Sequence, residues 1–220
     1  MHHPCGQPAG METKDAIPHR VDAVVSTFNY LFYRRLKVKK ILSLFQRNYE
    51  TDRLVRDEIV PGAEWVVNGE GVATRKYDGT CCMIQDGKLF RRYEAKKQPP
   101  ADFVPAQDQD AVTGHWVGWR PCYREEPGDK YHWEAFDALT DKEDGTYELL
   151  GPKIQGNPEK IEKHTLLKHA DAEVFPDCPM DFNGLREWLK SKCVEGVVFH
   201  HPDGRMVKIK KKDYGMRREC

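Results

Sequence analysis

The sequence predicts an α+β fold whose strands are mainly antiparallel. Three observations carry that expectation: short apolar runs separated by turn dipeptides, one capped stretch with a helical period, and a terminal hairpin in which apolar and basic residues alternate. The runs are Ile41-Leu42-Ser43-Leu44-Phe45, Trp65-Val66-Val67, Gly71-Val72-Ala73-Thr74-Arg75 and Cys81-Cys82-Met83-Ile84. Pro61-Gly62, Asn68-Gly69 and Asp86-Gly87 punctuate them. Such dipeptides join neighbouring strands because Asn, Asp and Gly reach left-handed turn angles at low cost. From Ala95 to Lys130 the chain is rich in Pro, Gln, Asp and Gly around Trp116 and Trp119, and reads as long loops on a few anchored aromatics. Strands resume at Tyr131 to Leu139 and at Thr146 to Leu150. Asp181 is placed to cap a helix running to about Lys192, with Leu185, Trp188 and Leu189 on its inner face. The hairpin pairs Gly196-Val197-Val198-Phe199-His200 with Met206-Val207-Lys208-Ile209-Lys210 across Pro202-Asp203-Gly204.

Composition narrows the classes of function. A chain of 220 residues with 39% hydrophobic content can fill one core, with an extension to spare. Residues 1–35 carry prolines and a short aromatic patch, Phe28 to Tyr33, without a clean period, and are expected to form an N-terminal extension. The other reading of that region is a short strand or helix from Val21 to Phe32, docked on the domain of residues 36–220. The 35 basic and 35 acidic residues cancel, so any nucleic-acid binding must come from a local basic surface. Seven scattered cysteines without a C-x-x-C pair point to reduced thiols in an intracellular, soluble protein, and away from a zinc site. No run approaches the ~20 apolar residues of a membrane span, and His2, His3 and Pro4 stand where a signal peptide would be apolar.

Lys76-Tyr77-Asp78-Gly79 is the stretch richest in chemistry. A lysine amine is a poor nucleophile while protonated, so a reactive one needs desolvation or neighbouring cations to lower its pKa. Gly79 offers backbone angles closed to other residues, which would let a ligand lie close, and Asp78 can brace the turn by hydrogen bonding. In the hairpin, the i, i+2 spacing puts Lys208 and Lys210 on one strand face and Val207 and Ile209 on the other, with Glu195 at the start of the partner strand. Two lysines suit polyphosphate, and a carboxylate beside them suits the divalent metal that accompanies it. A blander reading of Lys208 and Lys210 is a solvated basic tail, since Lys211 and Lys212 follow. Trp116, Trp119 and Trp133 could stack on bases, although tryptophans more often belong to a core.

These residues resemble the ordered motifs of the covalent nucleotidyltransferases, which include RNA ligases, DNA ligases and mRNA capping enzymes. Lys76 to Gly79 resembles the nucleophile turn, and Leu89-Phe90-Arg91-Arg92 the second motif, with Arg92 better placed than Arg91. Tyr147-Glu148-Leu149-Leu150-Gly151-Pro152, Glu195-Gly196-Val197-Val198 and Val207-Lys208-Ile209-Lys210 resemble the other three. The likeness runs from about Leu36 to Tyr214. It is greatest to the small ATP-dependent 5'-to-3' RNA ligases of the vertebrate type, through Lys76-Tyr77-Asp78-Gly79-Thr80-Cys81-Cys82 and Tyr147 to Pro158.

The resemblance implies a nucleotidyltransferase (ATP-grasp-like ligase) fold, in which two mainly antiparallel sheets enclose the ATP cleft. Because the sequence stops about ten residues after Lys210, it also implies a minimal domain without the OB-fold of DNA ligases and capping enzymes. It makes ATP and Mg2+ (or Mn2+) the cofactors and Lys76 the nucleophile that forms a lysyl-AMP. Asp78 and Gly79 would shape the ATP site, Glu148 would hold the ribose, and Arg92 the ribose or an RNA phosphate. Lys208 and Lys210 would hold the α-phosphate, and Glu195 the metal. The implied partners are RNA ends bearing a 5'-phosphate and a 3'-hydroxyl, in RNA repair or processing, with no obligate protein partner and no membrane. The other activities open to such a sequence are RNA capping with GTP, DNA end sealing, or non-catalytic nucleotide or RNA binding.

Overall fold

A computed structural model describes residues 38–218. The extension expected over residues 1–35, with its alternative element at Val21 to Phe32 and the boundary at residue 36, lies outside the described residues.

The strand signals resolve into three sheets. A four-stranded sheet has the order β1 (Leu42–Ser43), β12 (Met206–Lys210), β11 (Gly196–His200), β4 (Val72–Lys76). It is antiparallel except for the parallel pair β1 and β12. A six-stranded antiparallel sheet has the order β10 (Thr165–Lys168), β9 (Gly145–Leu150), β5 (Thr80–Gln85), β6 (Lys88–Ala95), β8 (Trp116–Pro121), β7 (Val104–Pro105). A small ribbon pairs β2 (Phe45–Arg47) with β3 (Val55–Ile59). Two antiparallel sheets were expected, and the ribbon is additional. The β5–β6 turn has Asp86 and Gly87 both at positive φ, 49° and 71°, as a two-residue hairpin with a right-handed strand twist requires.

Period-2 alternation divides each sheet into two faces. In the four-stranded sheet Ala73, Val197, Phe199, Val207 and Ile209 turn to one core, where helix α3 (Phe182–Ser191) packs Leu185 and Leu189 against them. In the six-stranded sheet Cys82, Ile84, Leu89, Tyr147 and Leu149 turn to a second core, covered by helix α2 (Lys130–Ala138) through Ala135 and Phe136. Each sheet therefore buries its outer face under a helix. The inner faces carry the polar residues.

Three local expectations are corrected. Trp65-Val66-Val67 forms the one-turn helix α1 (Glu64–Val67), because Trp65 and Val66 are both buried in the same core, which consecutive strand residues on opposite faces would not achieve. Tyr131 to Leu139 lies in α2 rather than a strand: His132, Ala135 and Phe136 bury one helical face at i, i+3, i+4 spacing. Half-buried Tyr131 and Trp133 flank that core and mimic alternation in the sequence. The stretch from Ala95 to Lys130 contributes β7 and β8 to the larger sheet instead of being all loop. Gly118 sits inside β8 because a Cβ there would lie 2.2 Å from the Val104 carbonyl oxygen. Trp119 is fully buried, as the core reading expected.

Candidate active site

A cavity of about 710 Å3 lies between the inner faces of the two large sheets. One wall carries Val72, Thr74 and Lys76 from β4, Val198 and His200 from β11, and Lys208 from β12. The other carries Cys81 from β5, Arg92 and Glu94 from β6, and Thr146 and Glu148 from β9. Residues far apart in the chain thus converge because the inner faces of β4, β11 and β12 and of β5, β6 and β9 are presented to the same space.

Lys76 is the last residue of β4 and stands opposite Gly196, which brings the preceding Glu195 within reach. Its ammonium donates to the Glu195 carboxylate and, at 3.3 Å, to the Tyr77 carbonyl. Burial is the largest single influence on its pKa and pulls it down. The Glu195, Glu148 and Asp78 carboxylates together outweigh burial, so the pKa stands above the ordinary lysine value. Lys76 therefore rests as an ion-paired ammonium, without the lowered pKa that a reactive lysine needs.

The turn after Lys76 is held by carboxylates from elsewhere in the chain. The Asp78 amide donates to Glu159 Oε1 at 3.0 Å, and the Gly79 amide to Glu148 Oε1 at 3.0 Å. This replaces the expectation that Asp78 braces the turn itself. Gly79 is also required for a different reason from the one expected. It is not among the glycines at positive φ; instead, a Cβ there would lie 2.3 Å from the Leu149 carbonyl oxygen of β9. The glycine permits close approach of two strands of the cleft wall.

Beside Lys76, Lys208 has its pKa lowered by burial first and by the Lys76 charge second. Lys210, 3.9 Å from Glu195, is pushed down to about 8, chiefly by burial. Both lysines alternate with Val207 and Ile209 of the core, which excludes a solvated tail. Arg92 faces the cavity, stacks on Trp119 with its guanidinium 4.8 Å from the ring centroid, and donates to the Val38 carbonyl. Arg91 turns to the opposite face and pairs with Asp129 at 2.8 Å, so Arg92 is the cleft arginine.

Glu148 Oε2 lies 3.0 Å from His169 Nε2, whose Nδ1 lies 3.0 Å from Thr146 Oγ1. His169, His200, Thr74 and Glu159 are site residues that sequence reasoning missed. The inner-face parity of β4 and β11 would have found Thr74 and His200. Cys81 lines the cavity as a neutral thiol, its pKa raised to about 12 by burial and by Glu148.

Among the described residues one group of three side chains could offer metal ligands: Cys122, Asp129 and His132, all buried. The Asp129 carboxylate is already engaged by the Arg91 guanidinium and, at 2.9 Å, by the Tyr123 amide. Cys81, Cys82, Cys122 and Cys178 are free thiols, whereas Cys193 is disulfide-bonded, contrary to the expectation of reduced cysteines throughout. A scattered cysteine set gives no signal of such a bond. No helix among the described residues is long and apolar enough to cross a membrane.

Residues 121–219 match the family model described as RNA ligase 1. That span includes Glu148, Glu159, Glu195, Lys208 and Lys210, and lies C-terminal to Lys76 and Arg92. RNA ligase 1 of Pongo abelii is 23% identical, over 66% of this chain and 67% of its own length. The RNA ligase 1 proteins of Danio rerio and Mus musculus are each 22% identical over the same shares. The chain, a mixed α+β protein with a lysine-lined and carboxylate-lined cleft, is thus similar to RNA ligases over its C-terminal part. Within that class, the similarity is to RNA ligase 1.

Proposed function

We propose that the protein is an ATP-dependent RNA ligase of the nucleotidyltransferase fold, joining 5'-phosphate and 3'-hydroxyl RNA ends through a lysyl-AMP on Lys76. The observation that carries this reading is the convergence of Lys76, Arg92, Glu148 and Lys208 on one cleft from four strands, with Glu195 paired to Lys76 and Lys210 3.9 Å from Glu195. In the first step Lys76 Nζ forms a P–N bond to the α-phosphorus of ATP while the bond to pyrophosphate breaks. An RNA 5'-phosphate oxygen then takes the AMP, breaking the P–N bond. Finally the 3'-hydroxyl attacks the 5'-phosphorus and AMP leaves.

The residues divide this work by position. Lys208 and Lys210 supply positive charge where the α-phosphate must sit, the electrostatic positioning on which phosphoryl-type transfers depend. Glu148 and Arg92 stand on the opposite wall, where Glu148 suits ribose hydroxyls and Arg92 a ribose or an RNA phosphate. The Asp78 and Gly79 amides, held by Glu159 and Glu148, anchor the backbone that carries Lys76. Lys76 must shed a proton to attack, so its ion pair with Glu195 has to open first. Glu195 also fits a divalent cation, because a half-buried carboxylate is the hard oxygen donor that Mg2+ or Mn2+ takes. Such an ion, when bound, would offset the charge of the phosphates. Removal of the Glu195 charge from Lys76 would lower the lysine pKa toward the value that burial favours.

The substrate side is tested with 5'-phosphorylated RNA incubated with ATP and Mg2+. The expected products are joined RNA and, where the 3' end is blocked, RNA bearing a 5'-linked AMP. Joining that needs GTP in place of ATP, or that proceeds only with DNA ends, would replace this reading with capping or DNA sealing chemistry.

A further inference from the structure

The Lys76 turn is held by carboxylates distant in sequence, and one of them, Glu159, lies outside the motifs named above. Glu159 sits in the loop between β9 and β10 with its side chain only 3% exposed. Its Oε1 accepts the Asp78 amide at 3.0 Å and Arg218 Nη1 at 2.9 Å. Its Oε2 accepts Arg75 Nη2 at 2.8 Å and Arg218 Nη2 at 3.1 Å. Arg75, the residue before Lys76, also lies over the Tyr77 ring at 4.9 Å and pairs with Glu173 at 3.2 Å. One buried carboxylate therefore grips the chain on both sides of the lysine, through Arg75 before it and Asp78 after it. The same carboxylate ties that grip to the C-terminal Arg218.

We propose that Glu159 is a positioning residue that fixes the Lys76 to Gly79 turn and sets the direction of the Lys76 amine toward the cleft, with Arg218 locking the carboxylate in place. The catalytic consequence rests on the ligase reading, whereas the mechanical one does not. A buried carboxylate that takes four charge-assisted or amide hydrogen bonds is among the stronger local restraints available to a loop. Misplacement of a reacting group by about 1 Å costs on the order of a hundredfold in rate. Lys76 itself keeps its partner Glu195 whether or not Glu159 is present, so loss of Glu159 should loosen the turn without removing the ion pair.

The test compares wild type with Glu159→Ala, Glu159→Gln and Arg218→Ala, by hydrogen exchange and by lysine adenylylation kinetics with ATP and Mg2+. In Glu159→Ala, exchange at Asp78 and Gly79 should accelerate about tenfold or more while α3 and β9 keep their protection. Adenylylation kcat should fall about a hundredfold with KM for ATP held within roughly threefold. Glu159→Gln keeps an acceptor for the Asp78 amide but loses both ion pairs, so it should fall between alanine and wild type. Arg218→Ala should shift both readouts in the same direction by less. Unchanged exchange in the turn, a loss confined to KM, or global unfolding of all three variants would each overturn the proposal. If wild type forms no adduct, the ligase reading falls, and the exchange data alone then decide whether Glu159 holds the turn.

Discussion

At the scale of the residue, the cleft holds Lys76, the proposed nucleophile, in a protected form. Lys76 is bonded to Glu195, and its raised pKa keeps it protonated until the carboxylate field is altered. Lys210 behaves in the opposite sense. Burial pushes its pKa down to about 8, with the Lys212 ammonium adding to the effect and Glu195 and Asp213 opposing it. A lysine with a depressed pKa loses its proton at a lower pH than usual, and an anionic triphosphate needs that proton. ATP binding is therefore expected to weaken as pH rises through about 8, and Lys210→Arg, whose charge does not titrate in that range, should flatten the profile. Binding titrations across pH 7 to 9 check this, and an equally steep profile in the arginine variant would refute it. That Lys76, Arg92, Glu148 and Lys208 would come together was legible from the motifs they belong to, which fix both type and order. Glu159 and His169 were not, since an acidic and an imidazole side chain in irregular segments have no periodicity to mark them. The electrostatic state of Lys76 was not legible, because carboxylates distant in sequence come beside it only once the strands are paired.

At the scale of the element, the strands that carry the chemistry were the easiest to read. Alternation in β11 and β12 places Val197, Phe199, Val207 and Ile209 in the core, and so commits Val198, Lys208 and Lys210 to the other face. Helix α3 was equally legible: Asp181 accepts the Gly184 amide at 2.8 Å, satisfying one of the unpaired amides of the first turn. Asp181→Ala is expected to lower stability by about 1 kcal/mol, with chemical denaturation as the measure and no change in the cleft's ligand affinity. Helices α1 and α2 were obscure because clusters of aromatic and β-branched residues suit either period over so few positions. Gly79 makes β5 start where β9 leaves no room for a Cβ. Gly79→Ala should therefore destabilise the protein by about 1–3 kcal/mol, and should also impair nucleotide binding, since the clash with the Leu149 carbonyl can be relieved only by moving a cleft wall. A full-affinity Gly79→Ala protein would show that this approach is not needed.

At the scale of the described residues as a whole, 38–218 form two helix-covered cores with a polar cleft between the sheets. The arrangement separates stability from chemistry. Outer faces carry the apolar burial, and inner faces remain open to charged groups that a core would not tolerate unpaired. The short motifs of the resemblance lie on, or at the ends of, different strands, and several bring a side chain to the inner faces: Lys76, Arg92, Glu148 and Lys208. The antiparallel strands were legible from the strand signals and their division into two sheets only from the resemblance, whereas the join of β7 and β8 to the larger sheet was hidden by the Pro-rich and Gly-rich composition around them.

The most direct test is intact-protein mass spectrometry with peptide mapping, after the protein is cleared with pyrophosphate and incubated with ATP and Mg2+, beside GTP and a Lys76→Ala variant. The account expects a gain of one AMP from ATP, labile to acid, located on Lys76 and missing in the variant. A cleared protein that takes up no nucleotide, or that carries AMP equally well without Lys76, would contradict it.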